Sequence, residues 1–119
     1  QRSFITAIAF SPREDAVLIG TLNGAISLYS TTSRRRLRRY RGHGDRVNAL
    51  RFVAGSETFV SASADGTIRL WDLDRQRAQQ TFGAAGAEVR SVAVQPVSGV
   101  VASAKADGTV QIWTMSAVK

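Results

Sequence analysis

The chain has 119 residues, 44% of them apolar, which suits one globular domain able to bury a core. It has no cysteine and a single histidine, His43, which excludes disulfide frameworks, thiolate metal sites and cysteine nucleophiles and leaves little for a metal or acid–base centre. The net charge of +7 is local: Arg34, Arg35, Arg36, Arg38, Arg39 and Arg41 supply six of the sixteen basic residues, and the remainder holds ten basic against nine acidic ones.

In chain order, Gln1 to Phe4 form no apolar leader, and no apolar run approaches the roughly 18 to 20 residues of a membrane-spanning helix. An intracellular chain, cytoplasmic or nuclear, is expected, neither secreted nor bound to a membrane. A first strand begins at Ile5 and ends at Ser11-Pro12, and Asn23-Gly24 marks a tight turn before a strand around Ile26 and Leu28. Thr31 to Arg36 reads as a turn, and Leu37 to Tyr40 as a fourth strand. Val47 opens the next series, which pauses at Gly55-Ser56. Phe59 to Ser63 and Thr67 to Trp71 then flank Ala64-Asp65-Gly66, and Asp-Gly between two β-prone runs is a strong hairpin signal because the turn needs positive φ. In the strand after that turn Ile68 and Leu70 point one way, while Thr67, Arg69 and Trp71 point the other. Arg77 to Phe82 fits a fourth strand, Val89 opens a third series ended by Gln95-Pro96, and Asp107-Gly108 marks its turn. No stretch has a helical period.

These series are copies. Asn23-Gly24, Asp65-Gly66 and Asp107-Gly108 recur at a step of 42, as do Ile5, Val47 and Val89, then Leu28, Leu70 and Ile112, then Tyr29, Trp71 and Trp113. Val47 to Asp72 and Val89 to Thr114 share nine identities in 26 positions, too many for chance. Three repeats are expected, over 4–42, 43–84 and 85–119, each a four-stranded antiparallel meander in an all-β chain. The last lacks its outer strand.

At these residues the sequence resembles the WD-repeat family of β-propellers. The middle repeat carries most of the likeness, with Gly42-His43 ahead of Val47 and with Ser61, Asp65, Trp71 and Asp72 at their places. The outer repeats depart from it, with Tyr29-Ser30 and Trp113-Thr114 in place of Trp-Asp, and Ala84-Ala85 in place of Gly-His. The resemblance implies a buried polar network in which Trp71 donates to Ser61 and His43 bridges Ser61 to Asp65. Ser103, Asp107 and Trp113 would form an incomplete copy, and Asn23, Ile19 and Tyr29 none. His43, Ser61 and Asp65 are also the residue types of a catalytic triad. No nucleophile-elbow pattern surrounds Ser61, so the structural reading is taken and no enzyme is expected. Gly83-Ala84-Ala85-Gly86 has no following helix to complete a phosphate site and reads as a loop between blades.

The arginine segment lies on a turn and an outer edge. It reads as a guarded edge, as a contact for an acidic protein surface, or as a nucleic-acid contact. Propellers close with roughly four to eight blades, so the chain is expected to be the C-terminal part of a longer propeller or to be completed by another polypeptide. The resemblance implies a noncatalytic scaffold for protein–protein interactions in a multisubunit assembly, with no cofactor and no metal. Its partners would be other propeller blades and proteins that meet the narrow face at Phe4, Thr6, Arg46, Asn48, Glu88 and Arg90. The alternative is an RNA-associated subunit of a ribonucleoprotein that uses Arg34 to Arg41.

Overall fold

Strands here are set by side chains that alternate between two packed faces, and turns by glycines at positive φ. The computed structural model describes residues 4–11, 15–53, 57–83, 87–95 and 100–114, and its described residues form eleven strands in three sheets, with no helix. The first sheet takes β1 (Ile5–Phe10), β2 (Ala16–Thr21), β3 (Ile26–Ser30) and β4 (Arg36–Tyr40) in that order. The second takes β5 (Val47–Phe52), β6 (Thr58–Ser63), β7 (Thr67–Asp72) and β8 (Ala78–Gly83), and the third β9 (Val89–Val94), β10 (Val100–Lys105) and β11 (Val110–Thr114). All neighbours pair antiparallel, so each sheet is a meander. Pro12, Gly55, Ser56 and Pro96, the loop residues Ala84, Ala85 and Gly86, and Lys119 lie outside the described residues.

The three hairpin turns are one turn repeated. Gly24, Gly66 and Gly108 sit at φ of 93°, 91° and 91°, and each donates its N–H back to the carbonyl of Thr21, Ser63 or Lys105. At Gly24 a second constraint applies, because a Cβ there would strike the carbonyl oxygen of His43.

Packing makes the middle sheet the core of the molecule. Val47, Leu50, Phe59, Trp71 and Leu73 meet Ala16, Leu18, Ile26, Leu28 and Tyr40 of the first sheet. From its other face, Val60, Ala62, Ile68 and Leu70 meet Val89, Val92 and Val101 of the third. β6 is buried at all six positions, Thr58, Ser61 and Ser63 included, so its polar side chains must find partners inside the protein. Each large side chain so buried contributes on the order of 1.5 to 3 kcal/mol. Tyr40 fastens the outer strand of the first sheet to the second: its ring stands edge-on to Phe59 and Trp71 at 5.1 and 5.9 Å, and its hydroxyl donates to the Leu73 carbonyl at 2.6 Å. Leu37 does no such work. It falls where the β3–β4 register shifts, and it is exposed.

The first strands lie side by side, β1 against β5 and β5 against β9. Each carries an extra residue at the same step: Thr6 between Ile5 and Ala7, Asn48 between Val47 and Ala49, and Arg90 between Val89 and Ser91. A bulge of this kind re-aims the side chain it displaces.

Candidate functional site

The polar residues of the second sheet converge on His43. Burial pushes its imidazole below the ordinary pKa, against the pull of Asp65, so near neutral pH the ring has one donor and one acceptor. The hydrogens can then be placed. The Trp71 indole only donates, and its Nε1–H reaches Ser61 Oγ at 2.8 Å. The Ser61 hydroxyl hydrogen is left for His43 Nε2 at 2.6 Å, so Nδ1 carries the ring hydrogen and donates to Asp65 Oδ2 at 3.0 Å. Thr67 joins the chain, with its hydroxyl 3.1 Å from Nδ1 and donating to Asp65 Oδ1 at 2.6 Å. Burial works to raise the Asp65 carboxyl, but hydrogen bonds from the Thr67 hydroxyl and N–H and from the Gly44 N–H outweigh it and bring its pKa to about 2.

Connected this way, Ser61, His43 and Asp65 have the order of a hydrolytic triad. Access is what they lack. Ser61 is fully buried in β6, and the indole occupies its hydroxyl, so no substrate carbonyl can approach.

The outer repeats hold parts of the same arrangement. In the third, Trp113 donates to Ser103 at 3.2 Å, while Asp107 accepts from the N–H and hydroxyl of Thr109. These two halves have no imidazole between them, and Ala85 lies outside the described residues. In the first, Asn23 Oδ1 accepts from the Thr21 hydroxyl at 2.6 Å, and Ile19 and Tyr29 supply no Ser and no indole. Thr67 was missed as a network member from sequence, although Thr109 repeats it at the 42 step.

Most of the residues expected on the narrow face are tied between sheets. The Thr6 hydroxyl donates to the Val47 carbonyl at 2.6 Å, and Asn48 Nδ2 donates to the Val89 carbonyl at 2.8 Å. Asn48 also donates to Glu88 at 2.8 Å, and Arg46 pairs with the same carboxylate. Hydrogen bonds from Asn48 and then Arg46 hold the Glu88 carboxyl below its usual range. Phe4 and Arg90 remain exposed, Arg90 with its Nε 4.0 Å from Glu88.

The arginine segment divides. Arg38 turns toward the second sheet and meets Asp74 at 3.4 Å, and the Arg41 N–H donates to the Gln76 carbonyl at 2.9 Å. Arg34, Arg35, Arg36, Arg39 and the Arg41 guanidinium are exposed and have no acidic partner among the described residues. Arg39 and Arg41 border an open groove of about 470 Å³ with Asn23, Tyr40, His43 and Gln76. Glu57, Asp72 and Asp74 bring carboxylate oxygens within 4.8 Å of one another, but Arg38 lies on Asp74 and Asp72 accepts from the Asp74 N–H, so protein groups already serve the cluster.

The family model described as WD domain, G-beta repeat matches residues 34–72 and again 76–114. The chain belongs to the WD-repeat family. Its sheets are blades of a propeller, and the matched spans each run from an outer strand through the third strand of the following blade. WD repeats in general are noncatalytic scaffolds that bind proteins. No curated protein matches the chain. No helix among the described residues is long and apolar enough to cross a membrane.

Proposed function

We propose that this WD-repeat chain is a noncatalytic scaffold in a multisubunit protein assembly, and that its arginine segment is the contact for an acidic protein surface. One observation carries the reading. Five exposed guanidinium groups run from the β3–β4 turn along the outer strand to the groove beside Arg39 and Arg41, without acidic partners among the described residues, more charge than an edge needs to repel a stray strand. A guanidinium fork suits carboxylate oxygens, and the exposed Phe4 is available for an apolar contact. Thr6, Arg46, Asn48 and Glu88 are less available for a partner because they already bond between blades.

Replacing Arg34, Arg35, Arg36, Arg39 and Arg41 by Gln, with Arg38 and Tyr40 kept for packing, tests this. Each substitution is expected to change stability by less than about 0.5 kcal/mol, while partners are lost from pull-downs, most of all at low salt. A variant that retains every partner contradicts the proposal. The same exposed arginines support a second reading, RNA contact in a ribonucleoprotein, for which a salt titration against RNA would show a steep slope.

A further inference from the structure

The first two blades serve as controls for one another. β4 and β8 are both outer strands of four-stranded meanders, and the 42-residue step lays positions 34–41 over 76–83. Over those eight positions the first blade carries six arginines and the second only Arg77. β8 itself, AQQTFG, has no charged residue. An outer edge of this fold therefore does not require charge, and a guarded edge does not account for the arginine row.

The turns that lead into these strands differ as well. Arg34 stands at φ 64°, the one residue other than glycine at positive φ among the described residues, and its copy Gln76 does not share that conformation. A left-handed backbone costs an L-residue stability that glycine would keep. Ser30 imposes it: its carbonyl accepts from the Arg34 N–H at 3.0 Å, its N–H donates to the Arg35 carbonyl at 2.9 Å, and its Oγ accepts from the N–H groups of Thr32 and Ser33. Strain held by so many bonds beneath an exposed guanidinium points to a use for that side chain.

From Arg34 the row runs to Arg41, about 20 Å away along an extended chain. There Arg39 and Arg41 border the groove of about 470 Å³, whose lining crosses to Gln76 of the second blade. A long row that ends in a concave site suits an extended segment better than a folded face. We propose that the acidic partner is an extended, carboxylate-rich segment of about six to eight residues, lying along the outer strand of the first blade, anchored at Arg34 and ending in the groove beside Arg39 and Arg41. This rests on the acidic-contact reading above and adds the form of the partner and the residue that anchors it.

Fluorescein-labelled octaglutamate, titrated with the chain at low salt and read by anisotropy, is the probe. Octaglutamate is expected to bind, tetraglutamate to bind at least about tenfold more weakly because it cannot reach both ends of the row, and octaglutamine not to bind. Arg34→Gly is expected to weaken octaglutamate about tenfold while its thermal melt stays level or rises. Arg41→Gln is expected to weaken it similarly, whereas Arg51→Gln, which removes one exposed charge elsewhere, is expected to change it less than about twofold. A lower melt for Arg34→Gly, equal affinity for the two glutamate lengths, equal losses from Arg41→Gln and Arg51→Gln, or tighter binding of an eight-nucleotide uridylate would each overturn the proposal. If octaglutamate fails to bind while the five-arginine variant still loses its partners, the extended segment is wrong and the acidic-surface reading stands; partners retained by that variant remove both.

Discussion

The second and third blades share Ser, Asp, Thr and Trp at the same four positions, yet only the second joins them into one chain of hydrogen bonds. In the second blade Trp71 lies fully buried, stacked 5.8 Å from Phe59, and His43 links the hydroxyl it reaches to Asp65. In the third, Trp113 is partly buried against Phe82 at 5.0 Å, its bond to Ser103 is longer, and Asp107 is exposed on its turn. The local motif secures the turn and the indole contact separately. One imidazole and a blade packed on each side make them a single buried unit.

The two blades should differ most at their indoles. Trp71→Ala should cost about 3 to 5 kcal/mol as a fully buried large-to-small change, and Trp113→Ala about half of that because less surface is lost. Denaturant melts measure both, and equal losses would place the two indoles in equivalent surroundings. Next come the network's own members. His43→Ala should cost about 1 to 3 kcal/mol by stranding the Ser61 hydroxyl and the Asp65 carboxylate, and Asp65→Ala should cost more than Asp107→Ala. Parity between the two aspartates would mean that His43 adds nothing to the bonds each turn already makes.

Acid sharpens the difference further. His43 has its pKa depressed by burial, so between pH 6.5 and that lower value the unfolded chain takes up a proton that the folded chain refuses, and stability falls as pH falls. Asp65 binds its proton at about 2 when folded against 3.8 in its ordinary state, so its contribution holds above pH 3.8 and is lost on the way down to pH 2. That second loss is about 1 to 2 kcal/mol after allowance for partial exposure. Asp65→Asn should flatten it more than Asp107→Asn does, as urea melts at stepped pH would record.

Much of this was legible in the sequence because the 42-residue step repeats. It fixed where β1, β5 and β9 begin, since Ile5, Val47 and Val89 are both repeat copies and apolar starts to alternating runs. Trp71, Ser61, His43 and Asp65, expected together from the family resemblance, do stand in series. The junction contacts were not legible. Thr6 and Asn48 read as exposed starts of strands, and only a bulge turns them toward carbonyls 41 residues away. Arg38 read as one of six equivalent edge charges, but the pairing of Leu28 with Arg38 puts its side chain on the face toward Asp74. Alternation gives a side chain's face, and it is silent on which element covers that face.

The hydrogens along the chain from Trp71 to Asp65 define the buried network, and the single histidine makes them measurable at one ring. Nitrogen-detected NMR of the imidazole across pH should give one set of signals, with the hydrogen on Nδ1 of His43, slow exchange with solvent, and a protonation midpoint below pH 6.5. A ring that titrates at 6.5 or above, or that carries its hydrogen on Nε2 and exchanges freely, would contradict that network.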